Sequence, residues 1–342
     1  AASIANIGFG WLSDITKTRR PRIGAGLVLS SCLLLLVPFA SSPPLLIALI
    51  ICWQIALNMM LGPLSAWAGD VVPDAQKGML GGLLAFAPAL GALSGAFITF
   101  KGLANADERL YWVVVLMLLM VGPLLLFGKP IKMPQLLVDR PKEVMAKNAD
   151  NSARMAVWRM WSARLMVQIA EASLFAFLLM WFRSLDPQFD ENKVANIFAF
   201  VLSIAVVFAI LIGRWSDRVD RPIVPLVSCA ATAALGLALM ALAPTLPMAI
   251  AGYVMFGIAS SIFLALHSSQ TLRVLPRASR RGRDMGIFNL TNTVPSLIMP
   301  GLTLALVPRY GFDLLFLLLA VLAMLASLLL FKMPERPASS AV

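Results

Sequence analysis

The sequence predicts an all-α polytopic membrane protein, and three observations carry that prediction. Of 342 residues, 60% are apolar and 13% charged, with a mean hydropathy of +0.85. A soluble protein carries about 25% charged residues and too much polar surface for such a composition. The apolar residues fall in runs close to the ~20 residues that a helix needs to cross a bilayer. Finally, the basic residues gather in alternate connections between those runs, as cytoplasmic loops of membrane proteins do.

Residues 1–12 are apolar but only half long enough to span. With no basic leading segment and no cleavage site they are not a signal peptide, and the expectation is a helix that starts upstream. Ten runs follow: 23–40, 45–68, 79–100, 111–128, 161–182, 194–212, 223–243, 247–268, 286–307 and 312–331. Ser41-Ser42-Pro43-Pro44 and Ala243-Pro244-Thr245-Leu246-Pro247 make tight uncharged links. Pro88, Pro123, Pro295 and Pro300 fall inside runs, either as bending points or as packing kinks. Gly82, Gly91 and Gly95 allow close approach of the third run to its neighbours. Cys32, Cys52 and Cys229 lie far apart in apolar runs and read as small buried hydrophobes.

With the loop 14–22 in the cytoplasm and alternating sides thereafter, 23 of the 28 Lys and Arg are cytoplasmic. Only Lys101, Arg109, Arg183, Lys193 and Arg309 fall opposite. That asymmetry supports both the helix count and the orientation. Residues 129–158 are polar and carry both charge signs, which predicts a cytoplasmic linker. The expected domains are an incomplete N-terminal bundle at 1–128, the linker at 129–158, a C-terminal six-helix bundle at 159–333 and a cytoplasmic tail at 334–342. An inner (plasma) membrane location follows. The net charge of +11 belongs to these loops and implies lipid, not nucleic acid, as partner.

The two halves repeat. Gly10-Trp11-Leu12-Ser13-Asp14, then basic residues and Pro21, matches Gly213-Arg214-Trp215-Ser216-Asp217, then Arg218, Arg221 and Pro222, at an offset of 203. Val72-Pro73-Asp74-Ala75 with Gly78 matches Leu275-Pro276-Arg277-Ala278 with Gly282 at 203–204. Duplicated halves are frequent in transporters. Fifty-three residues (160–212) precede Gly213 and nine precede Gly10, a difference of 44. The expected plan is therefore six plus six helices, with the first one and a half missing from this chain.

Gly-x-x-x-Asp followed by a basic cluster, once in each half, resembles the signature loop of the major facilitator superfamily. Ser13-Asp14-Ile15-Thr16-Lys17-Thr18-Arg19-Arg20-Pro21-Arg22, Asp70-Val71-Val72-Pro73-Asp74-Ala75-Gln76-Lys77-Gly78 and Gly286-Ile287-Phe288-Asn289-Leu290 resemble its sugar/cation symporters, of the glycoside–pentoside–hexuronide or sucrose-symporter type. The resemblance implies two pseudo-symmetric helical bundles and a secondary transporter. Ile15 departs from the family's usual basic residue there. The helix at 45–68 lacks the cation-binding acid of melibiose-type members, which argues against sodium coupling.

Gly10, Asp14, Arg19 and Arg20, with Gly213, Asp217, Arg218 and Arg221, are candidate gating residues. An aspartate at a helix end can accept hydrogen bonds from the N-terminus of a neighbouring helix, where the macrodipole is positive. Contacts of that kind form only when one side is closed, and so bias the equilibrium between states. A plain topogenic loop is the alternative. Asp70 and Asp74 face, in the corresponding loop, Arg277, Arg280 and Arg281, and the opposite signs can pair. Gln54 and Asn58 share a helical face, as do Asn289, Asn292, Thr293 and Ser296. Such amide and hydroxyl stripes suit a sugar's hydroxyls or bond helix to helix. Trp53 and Trp112 are candidate stacking surfaces, and His267 reads as a packed residue. Glu171 is the one acid in the middle of an apolar run, and with Arg164 and Gln168 it forms a stripe at i, i+4, i+7. Charge there is costly and usually functional.

The expected function is proton-coupled symport of a small sugar or glycoside by alternating access, by a monomer that uses no cofactor or metal. A drug or metabolite exporter of the same fold and a non-transporting assembly factor are the alternatives. An enzyme is disfavoured by the single His and by the lack of clustered acids. The sequence also lacks a Walker A motif.

Overall fold

The computed structural model of the chain describes residues 2–99, 103, 105, 108–128, 147–275 and 278–333, with backbone alone at 147–153 and 278. The expectations for linker residues 129–146, for Arg277 and for the tail 334–342 lie outside the described residues. The described chain is helical: α1 Ala2–Ile15, α2 Arg20–Leu36, α3 Pro43–Val71, α4 Lys77–Leu84, α5 Phe86–Ile98, α6 Arg109–Phe127, α7 Lys147–Leu185, α8 Glu191–Val219, α9 Val224–Ala241, α10 Leu246–Val274 and α11 Arg281–Phe331. Short 3₁₀ turns at Asp74–Gln76 and Ala278–Arg280 lead into α4 and α11.

Among the described residues, nine helical stretches are long and apolar enough to cross a membrane. The last, α11, has 51 residues; straight, it would reach about 76 Å, far beyond a hydrocarbon core of about 30 Å. It turns at Gly311, where φ is +74° and ψ −176°, a conformation open to glycine and costly for other residues. The turn separates the predicted runs 286–307 and 312–331. The run predicted at 79–100 is instead broken between α4 and α5 at Ala85. Pro88 has no N–H for the carbonyl of Leu84, and its ring crowds that carbonyl. α7 begins at Lys147, inside the segment expected as linker.

Two compact units divide the chain, and each takes in a short segment from the other half of the sequence. Unit 1 comprises Ala1–Pro73, Leu90–Pro141 and Leu275–Leu290; unit 2 comprises Asp74–Ala89, Lys142–Val274 and Thr291–Val342.

In unit 1, α3 packs on α1 and α2, and α2 packs on α6. Ile23, Leu27 and Met60 are its buried centre, flanked by Leu57, Trp67, Met117 and Val121. Helix α2 lies so close to α3 that a methyl group at Gly26 would stand 2.6 Å from the amide nitrogen of Met60. Small residues permit this approach, from which dispersion contacts gain most in lipid.

In unit 2, α9 pairs with α10, and α10 also packs on α4, α7 and α8. The core joins Trp181, Phe182, Leu237, Phe256 and Leu319, with Trp181 edge-on to Phe316 at 4.6 Å between centroids. Exposed positions stay apolar, as at Phe175, Val207, Leu211 and Leu297, so these helices are apolar nearly all round, as membrane spans are.

Candidate functional site

Three polar constellations stand out in this apolar scaffold. The first lies in unit 1, where α1 ends against the start of α11. The Asp14 carboxylate accepts from the backbone N–H of Gly282 (3.0 Å) and of Arg283 (2.9 Å), the first residues of α11. It also accepts from Arg19 Nη1 at 2.8 Å. Orphan N–H groups at a helix start need acceptors, and a carboxylate suits both them and the dipole. Arg19 continues the chain of contacts: its Nε donates to Asp70 Oδ2 at 2.9 Å, and Arg281 Nη1 donates to Asp70 Oδ1 at 2.6 Å. The Asp14 side chain is only 4% exposed, so these hydrogen bonds are little competed by water. Gly10 makes room for the contact, since a methyl group there would lie 2.3 Å from the Gly282 carbonyl oxygen.

The second constellation, in unit 2, repeats the first. Asp217 Oδ1 accepts from Gly78 N–H and Oδ2 from Met79 N–H, both at 2.8 Å, at the start of α4. Arg273 Nη2 donates to Asp217 Oδ1 at 2.9 Å, and Lys77, 1% exposed, pairs with Asp74 at 2.5 Å. Gly213 and Gly78 approach as Gly10 and Gly282 do.

The third, also in unit 2, lies within the membrane-spanning lengths of α7, α10 and α11. Arg164 reaches from α7 to α10, with Nη1 donating to Leu264 O (3.2 Å) and Ser268 Oγ (3.0 Å) and lying 3.5 Å from His267 Nδ1. Its Nη2 donates to Asn292 Oδ1 on α11 at 3.3 Å. Buried His267 donates from Nε2 to Met160 O at 2.9 Å. A carbonyl only accepts, so the proton is assigned to Nε2, leaving Nδ1 as an acceptor toward Arg164, while Thr271 Oγ1 donates to the His267 carbonyl at 2.8 Å. Gln168 Nε2 donates to Glu171 Oε2 at 2.6 Å. The predicted stripe thus splits: Glu171 pairs with Gln168, while Arg164 turns to neighbouring helices. None of the ion pairs among the described residues involves Arg164.

Other expected residues lie elsewhere. Asn58 is buried in unit 1, accepting from Asn6 Nδ2 on α1 at 3.0 Å and donating to Gln54 O at 2.8 Å. It joins helix to helix, and its partner Asn6 was not singled out in the sequence. Half-buried Gln54 sits on the same face of α3, and half-buried Asn289 falls in the unit 1 part of α11. Arg20 bonds the Leu125 carbonyl, and Arg218 is exposed. Arg221 closes the loop after α8 by backbone bonding to Ser216. The arginines that hold the aspartates beside Arg19 are therefore Arg273 and Arg281. Arg273, at the end of an apolar run, gave no signal as a partner of Asp217.

A family model of the Major Facilitator Superfamily matches residues 160–342. The chain belongs to this superfamily, whose members are transporters and not enzymes. No curated protein sequence matches it. Among solved structures, the chain is similar to FucP, a major facilitator transporter in the outward conformation, at TM-score 0.75 and 14% identity, covering 97% of this chain and 86% of that one. It is similar to the human organic anion transporter MFSD10 (TETRAN) at 0.73 and 14%, covering 96% and 80%. It is similar to the proton:xylose symporter XylE bound to 6-bromo-6-deoxy-D-glucose at 0.70 and 16%, covering 97% and 84%. At such identities the likeness is one of fold.

Proposed function

We propose that this major facilitator transporter is a proton-coupled symporter of a small sugar or glycoside, of the sugar/cation symporter type, working by alternating access in the inner membrane. The observation that carries the reading is the pair Gln168–Glu171 on α7, 2.6 Å apart, an ionisable carboxyl inside a spanning helix. Glu171 takes and releases the coupling proton, because an acid at that depth is expensive as a charge and is retained for work. Gln168 orients it, and Asn292, in the same unit, offers an amide to hydroxyl groups. The likeness to the proton:xylose symporter XylE supports a sugar as substrate.

The two aspartate latches serve as the gate. Both lie at the face the charge asymmetry assigns to the cytoplasm, with the linker and C-terminus on that side. With both latches made, the cytoplasmic side is closed; release of Asp14 from α11 and of Asp217 from α4 opens it. The biasing energy is the difference in contacts between the two states.

A second reading rests on Arg164, a guanidinium inside a span whose hydrogen-bond partners are neutral. An organic anion as substrate would supply its counter-charge, and the likeness to MFSD10 favours that class. Uptake into inside-acidic and outside-acidic vesicles, against a panel of neutral sugars and carboxylate-bearing analogues, tests both. Accumulation of a neutral sugar with the proton gradient is expected. Proton-independent movement, or movement of carboxylates alone, overturns the first reading.

A further inference from the structure

Beside the Asp14 latch a cavity of about 390 Å³ is lined by Trp11, Asp14, Ile15, Ser279, Arg280 and Arg283. All six belong to unit 1. One wall is apolar: Trp11 and Ile15, four residues apart on α1, are 52% and 57% exposed. The other is cationic. Exposed Arg280 enters none of the ion pairs among the described residues, while Arg283 keeps its Nε and Nη2 on Asp284. Asp14 adds little repulsion, because its two oxygens already accept three hydrogen bonds.

The latch itself does not require this wall. In the repeat, the glycines and the aspartate persist, but counted from the matched Gly78 and Gly282, at an offset of 204, Gln76 and Met79 stand where Arg280 and Arg283 do. Arg214 and Arg218 replace Trp11 and Ile15. The combination of apolar and cationic walls with a hydroxyl in one cavity therefore serves a need other than latching.

We propose that this cavity binds the phosphate headgroup of an anionic phospholipid, with its acyl chains along Trp11 and Ile15. Arginine suits phosphate oxygens, and Ser279 adds a further hydroxyl to the cavity. α1 runs from apolar residues into Lys17, Arg19 and Arg20, which sets the cavity at the boundary between hydrocarbon and water. There an indole ring is at home, and basic residues feel the negative potential of anionic lipids. A lipid seated there touches α1 on one wall and the turn into α11 on the other, so it holds together the two elements the latch joins. The proposal is independent of what the protein transports.

Native mass spectrometry and hydrogen exchange on the purified protein test it, with phosphatidylglycerol, phosphatidylcholine and soluble glycerol phosphate as probes. Phosphatidylglycerol is expected to be retained several-fold more than phosphatidylcholine and to slow exchange of the amides at 278–286 several-fold. Arg280→Gln should reduce both effects, and Arg280→Glu should abolish them. Arg280 makes no latch contact, so folding is expected to survive, and a normal thermal midpoint in phosphatidylcholine checks this. Competition by glycerol phosphate equal to that by the lipid would assign a soluble phosphate and overturn the lipid reading. Equal retention of the two lipids, or retention unchanged by Arg280→Glu, overturns the proposal outright.

Discussion

At the scale of single residues, Glu171 and Arg164 make opposite demands on the membrane. Seven residues apart on α7, they stand about 10.5 Å apart along the axis, and each bonds a neutral partner instead of the other. For Glu171 we expect Glu171→Gln to keep the shape and a hydrogen bond to Gln168 while removing the site of ionisation. Gradient-driven accumulation should vanish, while exchange of substrate down its own gradient and thermal stability remain within experimental error; assays of both in the same vesicles check this. Normal accumulation would make Glu171 structural. One proton is worth about 2.3 kcal/mol per 100 mV, enough for a severalfold accumulation of a neutral sugar, so the loss should be plainly measurable. Arg164→Gln, in contrast, removes the charged donor that ties α7 to Leu264, Ser268 and Asn292. It should cost about 1–3 kcal/mol, visible as a lowered thermal midpoint, whereas Glu171→Gln should leave the midpoint in place.

At the scale of elements, the latches are governed by two glycine pairs and two carboxylates. Gly10→Ala and Gly78→Ala place a methyl group 2.3 Å from the carbonyl oxygens of Gly282 and Gly213. A contact that short forces the helices apart. Asp14→Asn keeps an acceptor but loses the charge that favours the start of α11 and holds Arg19. The expected loss is about 1–2 kcal/mol, or about a tenfold shift in the closed population. Cysteine accessibility from the cytoplasmic side should rise in each variant, and Asp14→Asn combined with Asp217→Asn should exceed either alone; unchanged accessibility would make these loops topogenic only. Much of this was legible in the sequence, because a motif that recurs at a fixed offset marks its glycines and aspartates, and opposite signs marked Asp70 and Arg281. Arg273 and Asn6 were not legible: each finds its partner across more than 50 residues. Nothing in local periodicity reports such a distance. The break at Ala85 was half visible through Pro88, and the turn at Gly311 divides two runs that hydropathy had already separated.

At the scale of the whole molecule, charge is what orients the protein. Twenty-three Lys and Arg fall in the segments assigned to one face and five in those assigned to the other, and each basic residue near an anionic leaflet is worth about 1 kcal/mol. Inversion would carry the larger set across the membrane and leave it against the less charged face. The linker at 129–158 is therefore expected in the cytoplasm, and the link Ser41–Pro44 on the far side. Single cysteines at Asn148 and at Ser42 should react with a membrane-impermeant maleimide from opposite sides. Cys32 and Cys52 are exposed on the protein and Cys229 is buried, so the first two must be replaced before labelling, with serine as the smallest change. An odd number of spans must lie between positions 42 and 148 for the labels to separate; α3, the α4–α5 stretch and α6 supply three. Labelling from the same side would mean that the stretch broken at Ala85 does not cross the bilayer as one span. It would then turn back as two half-helices, and α6 would cross the membrane in the opposite sense.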